Sequence, residues 1–280
     1  MSLSDTRRVR ARFRQLALLE PYSSAARHLT GTATRSPLVP TALDAQQTLE
    51  GEVLCGLGYL HEPRSFTVGD GPFVITRISA ESDSLTLELS ADSAPDKLCY
   101  RLLPSWEPGS ETVDNGIVGL RYRLDYRASA VDFYFPGRRA RVTFSGIDVD
   151  NFVRLRNEWI RSGVVESIDG KQGPTRQERV SALYRHIAAP VASAFVRRFG
   201  LLMQLEPRWI DSWSSMHRYS VEVSVHEQSL PGIPGLIDQL TSPWLEPRFS
   251  RRGDHETVGY YMPLSLEGTD LELDLRFTTL

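Results

Sequence analysis

The chain has 280 residues, of which 41% are hydrophobic and 24% are charged, so it can form one large domain or two modest ones around a sizeable core. Its net charge of −3 excludes a global field that would attract nucleic acid or an anionic membrane. No run of about 18 apolar residues occurs, and residues 1–14 are basic and polar, so we expect a cytoplasmic protein without a transmembrane segment.

The basic residues are almost all arginine. Lys97 and Lys171 are the two lysines among 32 basic residues. Arginine is the better reader of phosphate, but 35 acidic residues offset it, so a bias in the coding genome is the simpler interpretation. Cys55 and Cys99 are too few for a disulfide framework or an all-cysteine zinc site, and we expect free, buried thiols.

The N-terminal pattern predicts an amphipathic helix over residues 4–20. Val9, Phe13 and Leu16 share its apolar face, and arginines occupy the other face. We expect this helix to dock on its own domain with the arginines outward, although a basic helix also suits a membrane, nucleic acid or acidic partner. Residues 21–50 carry prolines among small polar residues and predict a tether or an irregular segment that wraps the domain.

Alternation of apolar and polar residues from 52 to 145 predicts antiparallel strands with one solvated face. The alternation is clearest over 117–145, where two short turns predict a three-stranded meander. Weaker strand patterns are found at 53–60, 73–80 and 98–103.

A first helix is predicted at 149–162, with Asp148 as its cap and an Arg154–Glu158 pair on its surface. A small hairpin is predicted at 164–172.

A long helix over 175–199 is the strongest structural prediction. Thr175 and Glu178 fit a capping box at its start, and Gly200 suits a left-handed residue at its end. Pro190 removes a backbone donor, so we expect a kink about one turn before it. The residues expected on its buried face are Leu183, Ile187, Val191 and Phe195.

The C-terminal part returns to strands. Strands are predicted at 201–205, 217–227, 258–266 and 271–277, and a short helix at 231–240. In the last strand the leucines are expected to face inward and Glu272, Asp274 and Arg276 outward.

These elements predict an α+β fold: an antiparallel β-meander, a central pair of helices and a second strand-rich segment at the C-terminus. We divide the chain into residues 1–50 (basic helix and tether), 51–146 (antiparallel β-rich subdomain), 147–200 (central helical pair) and 201–280 (C-terminal α+β subdomain). One shared sheet and two separate sheets both remain open, and we favour two subdomains sharing the helices.

No catalytic motif is present. The phosphate-binding G-x-x-x-x-G-K-[ST] loop, the dinucleotide fingerprint and the G-x-S-x-G nucleophile motif are absent, and no two histidines stand four residues apart. We therefore expect no cofactor and no metal ion.

Two arginine clusters are the remaining candidates for a binding site. A strand-borne cluster with one stacking aromatic resembles a surface for single-stranded nucleic acid, and a basic loop follows later in the chain. Pairing of these arginines with nearby acids is the alternative. The candidate binding residues are Arg121, Arg123, Tyr134, Arg141, Arg251 and Arg252.

Three classes of function remain. The leading hypothesis is a non-enzymatic binding or assembly component that contacts a protein partner or a second copy of the chain. The second is a protein that binds or processes RNA or DNA through the arginines. The third is an enzyme whose site is assembled from distant residues. A continuous stripe of unpaired arginines would favour nucleic acid, and scattered paired arginines would favour a protein partner.

Overall fold

The computed structural model describes residues 3–30, 37–63, 72–162, 166–167, 174–181, 186–251 and 261–279. It combines helices with a mixed sheet, so the predicted α+β class is confirmed. The α-helices are α1 (Leu3–Leu18), α2 (Tyr22–Thr30), α3 (Asp44–Leu57), α4 (Val149–Arg161), α5 (Arg176–Val180), α6 (Ala189–Val196) and α7 (Ile233–Leu240). A π-helical turn (Leu98–Leu102) and two 3₁₀ segments (Phe199–Leu205 and Glu227–Gly232) lie between them.

The strands are β1 (Tyr59–Glu62), β2 (Phe73–Ala80), β3 (Ser84–Leu89), β4 (Ser105–Trp106), β5 (Arg121–Asp125), β6 (Ala130–Tyr134), β7 (Arg141–Ser145), β8 (Glu166–Ser167), β9 (Trp209–Ser215), β10 (Arg218–Val225), β11 (Phe249–Arg251), β12 (Tyr261–Leu266) and β13 (Glu272–Thr279). Within the described ranges, eleven of them form one sheet in the order β11-β12-β13-β10-β9-β1-β2-β3-β7-β6-β5. The two remaining strands, β4 and β8, pair with each other.

The sheet is mixed, because β3 pairs in parallel with β7 and β10 in parallel with β13. The predicted strands of 117–145 pair antiparallel in chain order, with Tyr122 opposite Phe133 and Phe133 opposite Val142. They are not a separate meander, because β7 continues the sheet into β3. Strands of the second and fourth predicted segments therefore share one sheet, and the four-segment division itself stays a prediction.

The single long helix predicted over 175–199 was wrong. The capping box is present, with Thr175 and Glu178 each accepting from the other residue's backbone N–H, but α5 ends at Val180. The second helix, α6, has Pro190 in its first turn, where the missing N–H is not needed. Pro190 therefore begins a helix and does not kink one.

The predicted buried face of that helix is only partly correct. Val191 and Phe195 are fully buried, and the Phe195 ring lies 6.0 Å from the ring of Tyr219 on β10. Ile187 precedes α6 and is 53% exposed, so its predicted burial was wrong. Leu183 lies outside the described residues.

Gly200 does not end a helix in the left-handed conformation, as was predicted. It lies in the 3₁₀ segment that follows α6, directly beneath α1. A Cβ atom at this position would stand 2.2 Å from the carbonyl oxygen of Leu16. Glycine is needed here because two backbones touch.

The N-terminal helix docks on the protein through Phe13 and Leu16 as predicted, but not through Val9. Phe13 meets the ring of Trp244 edge-on at 5.7 Å, whereas Val9 is 43% exposed. Arg10 and Arg14, which were expected outward, are buried. Burial of Arg14 is tolerated because its guanidinium pairs with Glu20 at 2.7 Å and donates to the Leu38 carbonyl.

Residues 21–50 contain helices, so the expectation of a tether or an irregular segment was wrong for α2 and the start of α3. Helix α3 lies in the core, and its Gly51 packs so closely on α6 that a Cβ would stand 2.3 Å from Ala189. The strand predicted at 53–60 was also wrong, since α3 continues to Leu57.

Other corrections concern short segments. The strands predicted at 98–103 and 201–205 are the π-helical turn and a 3₁₀ segment.

Helix α4 and its Asp148 cap are confirmed, as is the Arg154–Glu158 pair at 2.8 Å. Strands β12 and β13 pair antiparallel as predicted, but Asp274 is 1% exposed and not outward in solvent. The hairpin predicted at 164–172 lies outside the described residues, apart from β8.

Candidate functional site

Arg121, the first predicted binding residue, is not available to a ligand. Its side chain is 2% exposed and donates to both carboxylate oxygens of Glu178, at 2.8 and 2.9 Å. Burial alone would raise the pKa of Glu178, but hydrogen bonds from Arg121 and from the backbone of Thr175 and Gly119 lower it below its usual value. The expectation that Arg121 lines a solvated face was therefore wrong.

Arg123, Tyr134 and Arg141 do share the polar face of β5, β6 and β7. The Arg123 side chain is 68% exposed and its guanidinium lies 3.4 Å from the Asp132 carboxylate. Asp132 also accepts the hydroxyl hydrogen bond of Thr143 at 2.6 Å, which ties the three strands together. Arg141 is exposed and Tyr134 is half-buried. Their role in binding stays a prediction.

The structure describes only one residue, Arg251, of the second predicted cluster, Arg251 and Arg252. Arg251 ends β11 and donates to the Asp238 carboxylate of α7 at 2.6 Å. Arg252 lies outside the described residues.

Many arginines are paired with carboxylates, and the pairs are spread over the molecule. They range from local surface pairs such as Arg154–Glu158 to a buried pair between distant elements such as Arg197–Glu50. In the described part of the chain the paired arginines include Arg14, Arg77, Arg121, Arg123, Arg154, Arg176, Arg197, Arg218, Arg248 and Arg251.

A candidate binding site that the sequence did not predict lies beside the π-helical turn. A cavity of about 240 Å³ opens there and is lined by Lys97, Tyr100, Arg101 and Asn115. We call it the Lys97 pocket. Of the described residues that line it, three come from one short stretch and Asn115 comes from the loop after β4.

The local sequence explains how the turn presents these side chains. Leu98, Cys99 and Leu102 are buried in the core, which leaves the intervening Tyr100 and Arg101 on the outer side. π-helical turns are rare and recur at functional sites. The Tyr100 ring packs edge-on against Trp159 of α4 at 5.1 Å, and the Asn115 side chain donates to the Tyr100 carbonyl at 2.8 Å. These contacts hold the walls of the pocket in place.

Lys97 is the buried cation of the pocket. Its ammonium group forms an ion pair with Glu62 of β1 and lies 4.3 Å from the centroid of the Tyr59 ring. Burial, together with the Arg101 charge, lowers the pKa of Lys97 to about 8, and Asp211 acts in the opposite direction. Lys97 therefore keeps most of its positive charge at neutral pH.

Arg101 is the exposed cation of the pocket. Its guanidinium lies 5.8 Å from the centroid of the same Tyr59 ring, so one aromatic ring supports both cations. Among the described residues, no carboxylate lies within ion-pair distance of Arg101.

Asp211 supplies the second negative charge near the pocket. It lies on β9 opposite Tyr59 in the register of the sheet. Burial raises the pKa of Asp211 and Glu222 raises it further, whereas the backbone N–H of Ser212 and the charges of Arg101 and Lys97 lower it. A carboxylate with a raised pKa beside a lysine with a lowered one is an arrangement typical of functional sites.

Sequence reasoning missed this pocket. Lys97 and Glu62 are 35 residues apart and meet only because β1 lies in the middle of the sheet beside the π-helical turn. The one signal available beforehand was that Lys97 is one of two lysines in an arginine-rich chain.

A second cluster joins residues that sequence reasoning left separate. The Ser214 hydroxyl on β9 lies 2.6 Å from Nδ1 of His186, and the backbone N–H of His186 donates to Glu52 of α3 at 2.7 Å. Cys55 lies beside Ser214, and burial raises the pKa of its thiol to about 12. Cys55 is therefore protonated at neutral pH and is not a nucleophile. Cys55 and Cys99 are both free thiols, as predicted.

No group of three or more metal-ligating side chains occurs within the ranges that the structure describes. Across the same ranges, no helix combines the length and the apolar character needed to cross a bilayer.

Comparison with known proteins found no matching family model, no similar curated protein and no similar solved structure.

Proposed function

We propose that this protein is a binding or assembly component that acts through contact with a partner protein, and that the Lys97 pocket receives an anionic group of that partner. The observation that carries the proposal is the exposed Arg101, which stands at an open pocket with no carboxylate in ion-pair distance among the described residues. An exposed, aromatic-supported arginine at a pocket is typical of an interface residue.

The distribution of the other arginines supports a protein partner over nucleic acid. Arg121 is neutralised inside the fold, and Arg123 lies against Asp132. The acids that pair with these arginines would repel a phosphate backbone.

Charge removal at the pocket tests the proposal. Full-length protein is purified with its associated proteins from cells that express it naturally, as wild type, as Arg101→Ala and as Arg77→Ala. Arg77 is a matched control, because it is a half-exposed arginine on β2 whose contact with Glu88 spans 3.9 Å. We expect a stoichiometric partner that Arg77→Ala retains and Arg101→Ala loses. A partner that both variants retain equally, or no stoichiometric partner at all, would contradict the proposal.

A second candidate function is acyl transfer, and the contact between Ser214 and His186 favours it. In the tautomer with its proton on Nε2, His186 accepts the Ser214 proton at Nδ1 over 2.6 Å. The serine oxygen then attacks an ester carbonyl, the leaving alcohol takes the proton from His186, and water releases the acid and restores the serine. Ile187 follows His186 in the chain and Met216 lies two residues after Ser214, and these apolar side chains are 53% and 76% exposed.

Covalent labelling tests this second candidate. A fluorophosphonate should modify Ser214, as located by peptide mass spectrometry, and Ser214→Ala should abolish the modification. Ser215→Ala is the matched control, because Ser215 is the exposed neighbour on the same strand. Absence of label on Ser214, or equal labelling of Ser215, would exclude the nucleophile.

A further inference from the structure

We propose that the Lys97 pocket recognises a carboxylate group, with its single negative charge, and discriminates against a phosphate dianion; this inference rests on the proposed function. The carboxylate is that of an aspartate or glutamate side chain, or of a chain terminus, on the partner protein.

Arg101 provides the geometry for this recognition. Its guanidinium is planar and presents two parallel N–H groups that match the two oxygens of a carboxylate. The side chain is exposed, and its guanidinium carbon lies over the Tyr59 ring at 5.8 Å from the ring centroid. Lys97 adds a second positive charge from inside the pocket.

The negative charges around the pocket limit the charge of the ligand. Lys97 is already paired with Glu62, and Asp211 lies within electrostatic reach of both Lys97 and Arg101. The two cations and these two carboxylates nearly cancel before any ligand binds. A carboxylate adds one negative charge to this balance, whereas a phosphate dianion adds two and is repelled by Asp211 and Glu62.

The size of the cavity favours a group on a larger partner. Its volume of about 240 Å³ is below the roughly 300–1,000 Å³ of sites that enclose a whole small-molecule ligand. An acidic side chain or a chain terminus needs less room, because the rest of the partner stays outside. The half-buried Tyr100 supplies an apolar wall for the methylene groups of such a side chain.

A matched pair of probes tests the inference on the full-length, ¹⁵N-labelled protein. The probes are N-acetyl-aspartate amide, which carries one negative charge, and N-acetyl-phosphoserine amide, which carries close to two at pH 7.5. We expect the aspartate probe to shift the backbone signals of residues 97–101 and 115 in a saturable manner, and the phosphoserine probe to bind at least about tenfold more weakly.

Three variants separate the possible outcomes. Arg101→Ala should abolish the shifts, and Arg77→Ala should leave them unchanged. Asp211→Asn keeps the acceptor for the Ser212 N–H and removes the charge, so it should raise phosphoserine affinity toward that of aspartate. If the wild type binds the phosphoserine probe as tightly as the aspartate probe or more tightly, the preference for a carboxylate is wrong, although the pocket still binds an anion. Absence of binding by every probe, or full binding by Arg101→Ala, overturns the pocket itself.

Discussion

Arg197 and Glu50 form a fully buried, two-bond ion pair at the centre of the molecule. Nη2 of Arg197 donates to Oε1 of Glu50 at 2.6 Å, and Nε donates to Oε2 at 3.0 Å. The remaining donors of the guanidinium reach the carbonyls of Pro40 and Glu81, and the carboxylate also accepts from Ser193 and Gln46. Helices α3 and α6 are therefore joined by a polar network in which both charges are compensated.

Removing one charge of this pair should be costly. We expect Glu50→Gln to lower the free energy of unfolding by about 3–5 kcal/mol, because Arg197 would remain buried without a counter-charge. Glu158→Gln is the control, since its pair with Arg154 is half-exposed and should cost less than about 1 kcal/mol. Urea unfolding measures both values. A similar loss in the two variants would show that the buried pair is no more important than a surface pair.

Alanine substitutions at Phe195 and Ile187 should have different effects on stability, because Phe195 lies in the core and Ile187 on the surface. Phe195→Ala should cost about 3–5 kcal/mol of stability, because the side chain is fully buried against Phe199 and Tyr219. Ile187→Ala should change stability by no more than about 0.5 kcal/mol, because Ile187 is 53% exposed. Thermal and urea unfolding provide the comparison. A loss below about 1 kcal/mol for Phe195→Ala would be typical of a surface position and would contradict the burial.

Gly200 should be required for docking of α1. A methyl group at this position stands 2.2 Å from the Leu16 carbonyl, so Gly200→Ala must displace the helix and should cost about 1–3 kcal/mol. Amide hydrogen exchange over residues 3–18 should accelerate in this variant. The control is Gly235→Ala in α7, where nothing lies within 4 Å of the added methyl and stability should stay equal or rise by up to about 1 kcal/mol. Rapid exchange of 3–18 in the wild type would instead show that the helix is not docked.

His61 should make the protein less stable in mild acid. Burial lowers the pKa of His61 to about 4 from an ordinary value of 6.5. Between about pH 4 and pH 6.5, His61 is therefore protonated in the unfolded chain and neutral in the folded protein. The stability contribution is present above pH 6.5 and is lost as the pH falls toward 4, by on the order of 3 kcal/mol. His61→Leu should flatten the pH dependence over this interval, whatever its effect at neutral pH. Parallel curves for wild type and variant would show that His61 titrates normally.

The arginines of the sheet face should not bind nucleic acid tightly. We expect weak, non-saturating binding of single-stranded RNA or DNA at physiological salt, and no effect of the double change Arg123→Ala, Arg141→Ala, because acids such as Asp132 share this face. Fluorescence anisotropy at several salt concentrations measures the affinity. Saturable sub-micromolar binding that the double variant loses while remaining folded would replace the protein-partner proposal with a nucleic-acid one.

The sequence by itself determined some of the local elements. The alternation around Tyr122 and Phe133 correctly predicts strands, because successive side chains of a strand point to opposite faces, and the short turn between them correctly predicts antiparallel pairing. The capping box of Thr175 and Glu178 was also predictable, since its two hydrogen bonds close within three residues. The length of the helix after it was not, because Pro190 fits both a kinked helix and the first turn of a new one.

Only the tertiary structure decided which polar side chains are buried and which form a site. Arg121 was predicted to be exposed on a polar face, but Glu178, 57 residues later, covers and neutralises it. Lys97 joins Glu62 and Tyr59, and Ser214 joins His186, through the order of strands in the sheet. The burial of a charge depends on a partner that arrives from elsewhere in the chain, and a local sequence pattern carries no information about that partner.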